Sequence, residues 1–254
     1  LDFSLRNPKF PNDIITFKML LSHTSSLRDG SKYGDFLSET GLKPSSLHVK
    51  ELVTPKGTFF SEDIFDSNNG PKSCYFTYGN INFGILASLI EKITNQRFDK
   101  YCEENIFKPL GITGNFNINN LPDINDLAVL YRKKNNKWTS QVDNYKGSYP
   151  PEKNLNGYIL GNNGFIFAPQ GGVRASAEDL AKLLIALQNN GRYEKTQLLM
   201  PETLSVMQKA VWLYNGTNGD NYEGVFKSYS IGIHNTKDLI LNESLTGHPG
   251  EAYG

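Results

Sequence analysis

The chain has 254 residues, 38% hydrophobic and 20% charged, with Lys+Arg and Asp+Glu balanced at 26 each. That is the composition of a globular chain with a sizeable core, and it excludes a disordered or fibrous polypeptide. The charge balance leaves no basic field for nucleic acid or an anionic membrane surface, and the longest clean apolar run, 83–90, is far too short to span a bilayer.

In chain order, Thr16 is placed as the N-cap of a helix whose apolar Phe17, Leu20 and Leu21 sit on helical spacing, with His23 in the same helix as a satisfied structural histidine. Residues 28–76 are rich in Gly, Ser, Pro and Asp and read as loops with short helices. Ile81, Ile85, Leu89 and Ile93 recur at steps of four, and Leu86 and Ile90 widen the stripe into a core-facing helix. "FDKYCEENIFKPLGI" reads as a further helix stopped by Pro109 and Gly111. "LAVLYRKKNNKWTS" reads as a hairpin turning at Asn135-Asn136.

Residues 143–172 are again irregular. Ser176, with Glu178 and Asp179 behind it, starts a helix that closes at Gly191, and Pro201–Lys209 forms a shorter one. From Ser228 the period changes to two, which predicts two strands around "NTKD". The expected class is α+β, helices packed on a mainly antiparallel sheet, in one domain over 1–254: a mainly helical region to 210 and sheet strands over 211–254. Cys74 and Cys102 are expected as buried thiols. The histidines at 23, 48, 234 and 248 lack metal-ligand spacing, and no Lys-Ser/Thr follows the glycine clusters as a phosphate loop requires. No metal or cofactor is expected.

The stretch "FTYGN", 76–80, puts Tyr78 and Asn80 just ahead of the 81–93 helix. Taken alone, such a Tyr is packing and such an Asn is an N-cap. Four segments in order change that reading. "ITFKMLLSHTSSL" resembles the "LLSHTSGL" helix of the beta-lactamase-related serine hydrolases, the group of class C beta-lactamases, DD-peptidases and esterases. "YFTYGNINFGILASLIEKITNQRFDKYCEENIFKPLGIT" resembles their Tyr-Ser-Asn motif and the helices after it. "GGVRASAEDLAKLL" is similar to their Gly-Gly helix start, and "GHPG" to their third motif, Lys or His, any residue, then Gly. The resemblance touches segments from about Leu1 to the last residue.

The resemblance implies the beta-lactamase/transpeptidase-like fold and acyl transfer through an acyl-serine. Tyr78 would shuttle the proton. Asn80 would hold a lysine and the substrate carbonyl. His248 would hydrogen-bond Tyr78 or the substrate, Gly250 would let substrate approach the strand, and the Glu251 N–H would be an oxyanion donor. His248 in place of lysine favours an esterase or a D-amino-acid peptidase over a true beta-lactamase. The expected partner is a small ester, peptide or lactam, with no nucleic acid and an extracytoplasmic location as in most bacterial relatives. The departures are specific: no serine here has Lys three residues on, Gly79 fills the middle of the tyrosine motif, and Ser26 replaces the glycine of "HTSGL". The chain therefore reads as an internal fragment, inactive alone, whose nucleophile lies upstream; the alternative is a non-catalytic homologue that binds or regulates.

Overall fold

The structure, a computed structural model, describes residues 1–42, 48–240 and 242–250. The helical region is organised by α4. Before it come α1 (Phe17–Leu21), α2 (Tyr33–Leu42) and α3 (Lys50–Val53); then α4 itself, Ile81–Thr94. Ile81 and Ile85 are fully buried and Leu86 nearly so, packing with Leu20, Leu27, Phe36, Leu52 and Phe165 into the main core. Ile93 departs from the expected stripe: it is 71% exposed, because the buried face near the end of α4 is occupied by Glu91 instead. Gly84 is required for packing, since a Cβ there would fall 1.9 Å from the Phe165 ring.

The next helix is continuous but mixed. It begins as α5 (Phe98–Cys102), widens to a π-turn over Glu103–Phe107 and closes as α6 (Lys108–Leu110), with Gly111 at φ +63°. Pro109 is tolerated in the last turn; the glycine ends the helix. The hairpin β1 (Leu130–Lys134) and β2 (Lys137–Val142) turns at Asn135-Asn136, both left-handed, as the sequence predicts.

Helix α7 (Ala177–Gln188) is capped by Ser176, whose hydroxyl accepts from the Asp179 N–H. Its end is closed by Asn190 and Gly191, both at positive φ. The two-residue strands β3 (Arg192–Tyr193) and β4 (Thr196–Gln197) follow, then α8 (Pro201–Gln208).

The last sheet is an antiparallel meander of four short strands in sequence order: β5 (Trp212–Leu213), β6 (Ser228–Tyr229), β7 (His234–Thr236) and β8 (Leu245–Gly247). This corrects the reading of two strands around "NTKD". That segment overlaps the end of β7, and Leu239 and Ile240 stay exposed in the link to β8. Cys74 is another correction: it caps a 3-10 turn at φ +52° and faces solvent, whereas Cys102 is buried as expected. Among the described residues, no helix is long and apolar enough to cross a membrane.

A second, aromatic core of Phe76, Trp212, Phe226 and Tyr229 joins this sheet to the segment ahead of α4. Phe76 exchanges backbone hydrogen bonds with Asn218 and Asp220. The Asp220 carboxylate accepts from Tyr75 Oη and Thr77 Oγ1 at 2.9 and 3.0 Å. The chain leading into α4 is thus fixed from both sides before it reaches Tyr78.

Candidate functional site

Tyr78 is half-buried in an aromatic cage built from three parts of the chain. Its ring stacks on Phe226 at 5.3 Å and 12°, lies 4.4 Å from His23 and 5.7 Å from His248, and meets Tyr222 edge-on. Tyr222 donates its hydroxyl to the Tyr78 carbonyl at 3.0 Å. Burial and the nearby Asp220 push that phenol up to about 12, so it remains a donor.

His23 lies one residue beyond the α1 cap, at φ +55°, not inside the helix as expected. The helix ends at Leu21, and the turn at positive φ brings the His23 ring against that of Tyr78. Nδ1 accepts from the Gly79 N–H at 3.2 Å, so the neutral ring carries its proton on Nε2, which has no partner. Loss of solvation, helped by the neighbouring His248, which would repel a second imidazolium, lowers its pKa from 6.5 to about 3. The expected satisfied histidine is therefore satisfied on one nitrogen only. Asn82 completes the arrangement, giving Nδ2 to the Gly79 carbonyl and accepting from Ser25 Oγ at 2.6 Å.

Asn80 occupies the N-cap position of α4 but does not cap with its side chain. The capping carboxylate is Asp29, from 51 residues away: it accepts from the Asn80 N–H, the Asn80 amide and the Ile81 N–H at 3.0, 2.8 and 2.9 Å. A negative charge at a helix N-terminus is favourable, and here it also fixes the direction of the Asn80 amide.

The sheet brings in His248. Tyr229 pairs with His234, and His234 with Gly247, so His248 follows directly beyond the β8 register. Its Nδ1 lies 2.6 Å from the Pro249 carbonyl, which only accepts, so Nδ1 carries the proton and Nε2 accepts from Tyr229 Oη at 2.9 Å. Burial pushes the Tyr229 phenol well up, which keeps it a donor. Loss of solvation lowers the pKa of His248 and the Pro249 carbonyl opposes that shift. His248 was expected to hydrogen-bond Tyr78 or the substrate; its ring lies 5.7 Å from that of Tyr78, and its ring nitrogen bonds Tyr229 instead.

Gly250 lies past β8, and among the described residues nothing stands within 4 Å of where a Cβ would be. Glu251 lies outside the described residues. The structure therefore brings Tyr78 and His248 together, sets Asn80 on the adjoining helix start, and adds His23, Asp29, Asn82 and Tyr229. The sequence signal for His23 and Asn82 was present in the quoted motifs. For Asp29 and Tyr229 there was none, because their roles rest on long-range contacts.

The sequence profile of the family described as Beta-lactamase matches residues 6–254. The chain belongs to the Beta-lactamase family. A Bacillus subtilis (strain 168) protein assigned as penicillin-binding protein PbpX is 28% identical over 107 residues, 42% of this chain and 23% of that protein. The octameric penicillin-binding protein homologue from Pyrococcus abyssi superposes with a TM-score of 0.59 at 19% identity, over 97% of this chain and 50% of its own. The D-amino acid amidase from Ochrobactrum anthropi SV3, solved with L-phenylalanine amide, superposes with a TM-score of 0.60 at 18% identity, over 96% and 59%. At these identities the solved structures carry the fold: helices with antiparallel strands in the Beta-lactamase arrangement. The chain spans about half the length of these structural relatives, and less of the curated one.

Proposed function

We propose that the chain carries the Tyr-x-Asn and His-x-Gly parts of a serine hydrolase that transfers an acyl group to water. Its substrate is an amide, peptide or ester of a D-amino acid in preference to a beta-lactam. The nucleophilic serine and its lysine lie in a Ser-x-x-Lys segment outside these 254 residues. The observation that carries the reading is the fixed pair of Tyr78 and His248, held by two separate elements and caged by aromatic rings.

The chemistry follows from the parts. A free tyrosine has a pKa near 10 and is a poor base near neutrality, so an ammonium beside it must favour the phenolate. The serine oxygen attacks the carbonyl carbon as its proton passes to Tyr78 Oη. The tetrahedral intermediate collapses, the C–N or C–O bond breaks, and Tyr78 returns the proton to the leaving group. Water then cleaves the acyl-serine by the same route. Asn80, whose amide donates to Asp29, would hold the lysine and the acyl carbonyl. Neutral His248, held by Tyr229 Oη, stands beside the tyrosine ring, and the N–H of Glu251 serves the oxyanion.

The similarity to an amidase of D-amino acids supports the substrate class, and the absence of a lysine in the third motif supports the exclusion of the lactam. The test is to sequence the coding DNA upstream of Leu1 and treat both the whole gene product and this chain with a covalent serine probe. Acylation of a Ser-x-x-Lys serine in the whole product, with none on the chain alone, is expected. An intact reading frame lacking the motif, or acylation of a serine within the chain, contradicts the reading.

A further inference from the structure

The hairpin β1–β2 stands as a two-stranded sheet of its own. All five residues of β1 and the first three of β2 are exposed. Four of the six residues 132–137 are basic, and no acid occurs between Asp126 and Asp143. The even balance of charge over the whole chain conceals this cluster, so the expectation of no basic field for an anionic membrane surface holds for the chain as a whole and fails at the hairpin. At its foot, Leu130 and Val142 line a cleft of about 1130 Å³ beside Asn80, together with Asp123, Asp126 and Asp143. Lys134 lies four residues up the strand from Leu130, about 13 Å at roughly 3.4 Å per residue, whereas the Debye length in physiological salt is about 8 Å. The tip is therefore a basic field in its own right, screened from the acids at its foot.

Two features of the tip work against the hairpin's own stability. Lys134 and Lys137 are direct cross-strand partners beside the Asn135-Asn136 turn, and like charges facing each other destabilise a hairpin. Trp138, the partner of Lys133, is 68% exposed, and Tyr131 on the same face is 54% exposed, so neither ring is spent on a core. Isolated two-stranded hairpins are marginal in water, which makes both features costly. Among the described residues, no carboxylate lies within ion-pair distance of Lys133, Lys134 or Lys137. An uncovered indole beside three lysines matches an anionic lipid surface: headgroup phosphates take the ammonium groups, and Trp and Tyr favour the boundary between headgroups and acyl chains. A nucleic acid fits less well. A polyanion longer than the tip runs on to Asp123, Asp126 and Asp143, whereas a flat bilayer meets the tip alone.

We propose that the tip of the β1–β2 hairpin docks this protein on an anionic lipid bilayer, with Lys133, Lys134 and Lys137 on the headgroup phosphates and Trp138 and Tyr131 in the interface. The contact is peripheral and reversible, since strands of five and six residues are too short to cross the hydrocarbon. A headgroup phosphate between Lys134 and Lys137 removes the repulsion that the free hairpin carries. The proposal does not depend on the hydrolase reading, because it uses no residue of the Tyr78 cage.

The test is co-sedimentation of the 254-residue chain with vesicles of phosphatidylcholine alone and with vesicles that also hold phosphatidylglycerol. Binding is expected to the anionic vesicles only, and it should fall steeply as salt rises. The triple variant Lys133→Gln, Lys134→Gln, Lys137→Gln should lower the affinity about 100-fold, at roughly five-fold per lysine. Trp138→Ala should lower it about ten-fold. Tryptophan emission should shift to the blue on anionic vesicles in the unaltered chain and not in Trp138→Ala, because the other tryptophan, Trp212, is already buried. All four substituted positions are exposed, so circular dichroism should not change, and the salt dependence of the unaltered chain tests the same contact without a variant. Equal binding to both vesicles, no binding to either, or an unchanged affinity in the triple variant overturns the proposal. So does tighter binding to single-stranded DNA than to anionic vesicles with no emission shift on lipid, which would make the hairpin a nucleic-acid contact.

Discussion

Ser26 shows how much one residue of the "HTSSL" motif has to do. It stands where the resembling motif has glycine, and its φ is +67°, a region that costs a non-glycine residue about 1–2 kcal/mol. Its hydroxyl accepts from the buried Asn7 amide at 3.1 Å, which offsets part of that cost. Ser26→Gly removes both the strain and the bond, while Ser26→Ala removes only the bond. Urea denaturation should therefore rank glycine above alanine by about 1 kcal/mol or more. Equal stability of the two variants would mean the backbone there is not strained.

His23 gives the pH counterpart. Its folded pKa of about 3 lies below the ordinary 6.5, so the unfolded chain takes up a proton the folded one refuses. The stability this group contributes is complete above pH 6.5 and is lost as pH falls towards 3. Between pH 7 and pH 5 the loss from this group alone is about 2 kcal/mol. Denaturation midpoints of the chain and of His23→Gln should converge over that interval, and parallel curves would remove His23 as the titrating group.

At the level of elements, α4 is the scaffold of the site, and both its ends depend on carboxylates. Glu91, fully buried near its C-terminal end, accepts from the Phe98 N–H, the Gly161 N–H and the Tyr158 hydroxyl, tying α4 to α5 and to the 158–161 loop. Burial raises its pKa in spite of these donors. Glu91→Ala would leave three donors unpaired at about 1–3 kcal/mol each, so a loss of at least about 3 kcal/mol is expected by denaturation. A change below 1 kcal/mol would show the loop is held by other contacts.

The helix itself was legible, because Ile81 and Ile85 repeat with its period and Thr16 and Ser176 cap their helices as their side-chain chemistry dictates. The carboxylates at its ends were not. Asp29 is 51 residues from the helix it caps, and Glu91 falls where a surface acid fits the pattern equally well. The short strands of the last sheet were blurred for a related reason: β6 and β7 are separated by a turn at Gly232, which a period-two reading runs straight through.

On the scale of the whole molecule, the site lies where two cores meet. The main core carries α4 and the aromatic core carries the sheet, and the segment 76–80 passes from one to the other. The Gly232 N–H donates to the Leu21 carbonyl at 2.9 Å, so the end of α1 is also tied to the β6–β7 turn. Tyr78, His248 and Asn80 are thus positioned by elements up to some 170 residues apart, a proximity that only the motif order hinted at. The cleft beside Asn80 extends the same junction towards the acidic segment around Asp123 and Asp126.

The most direct test of this account is the rate at which the whole gene product forms an acyl-enzyme, followed by intact mass, with Tyr78 and with Tyr78→Phe. The phenylalanine ring keeps the stack on Phe226 and loses only the hydroxyl, so the fold should be unchanged by circular dichroism. Acylation should fall by about 10²–10⁴, the range for loss of a positioned proton-transfer group. An unchanged rate would make Tyr78 a packing residue and contradict the proposal.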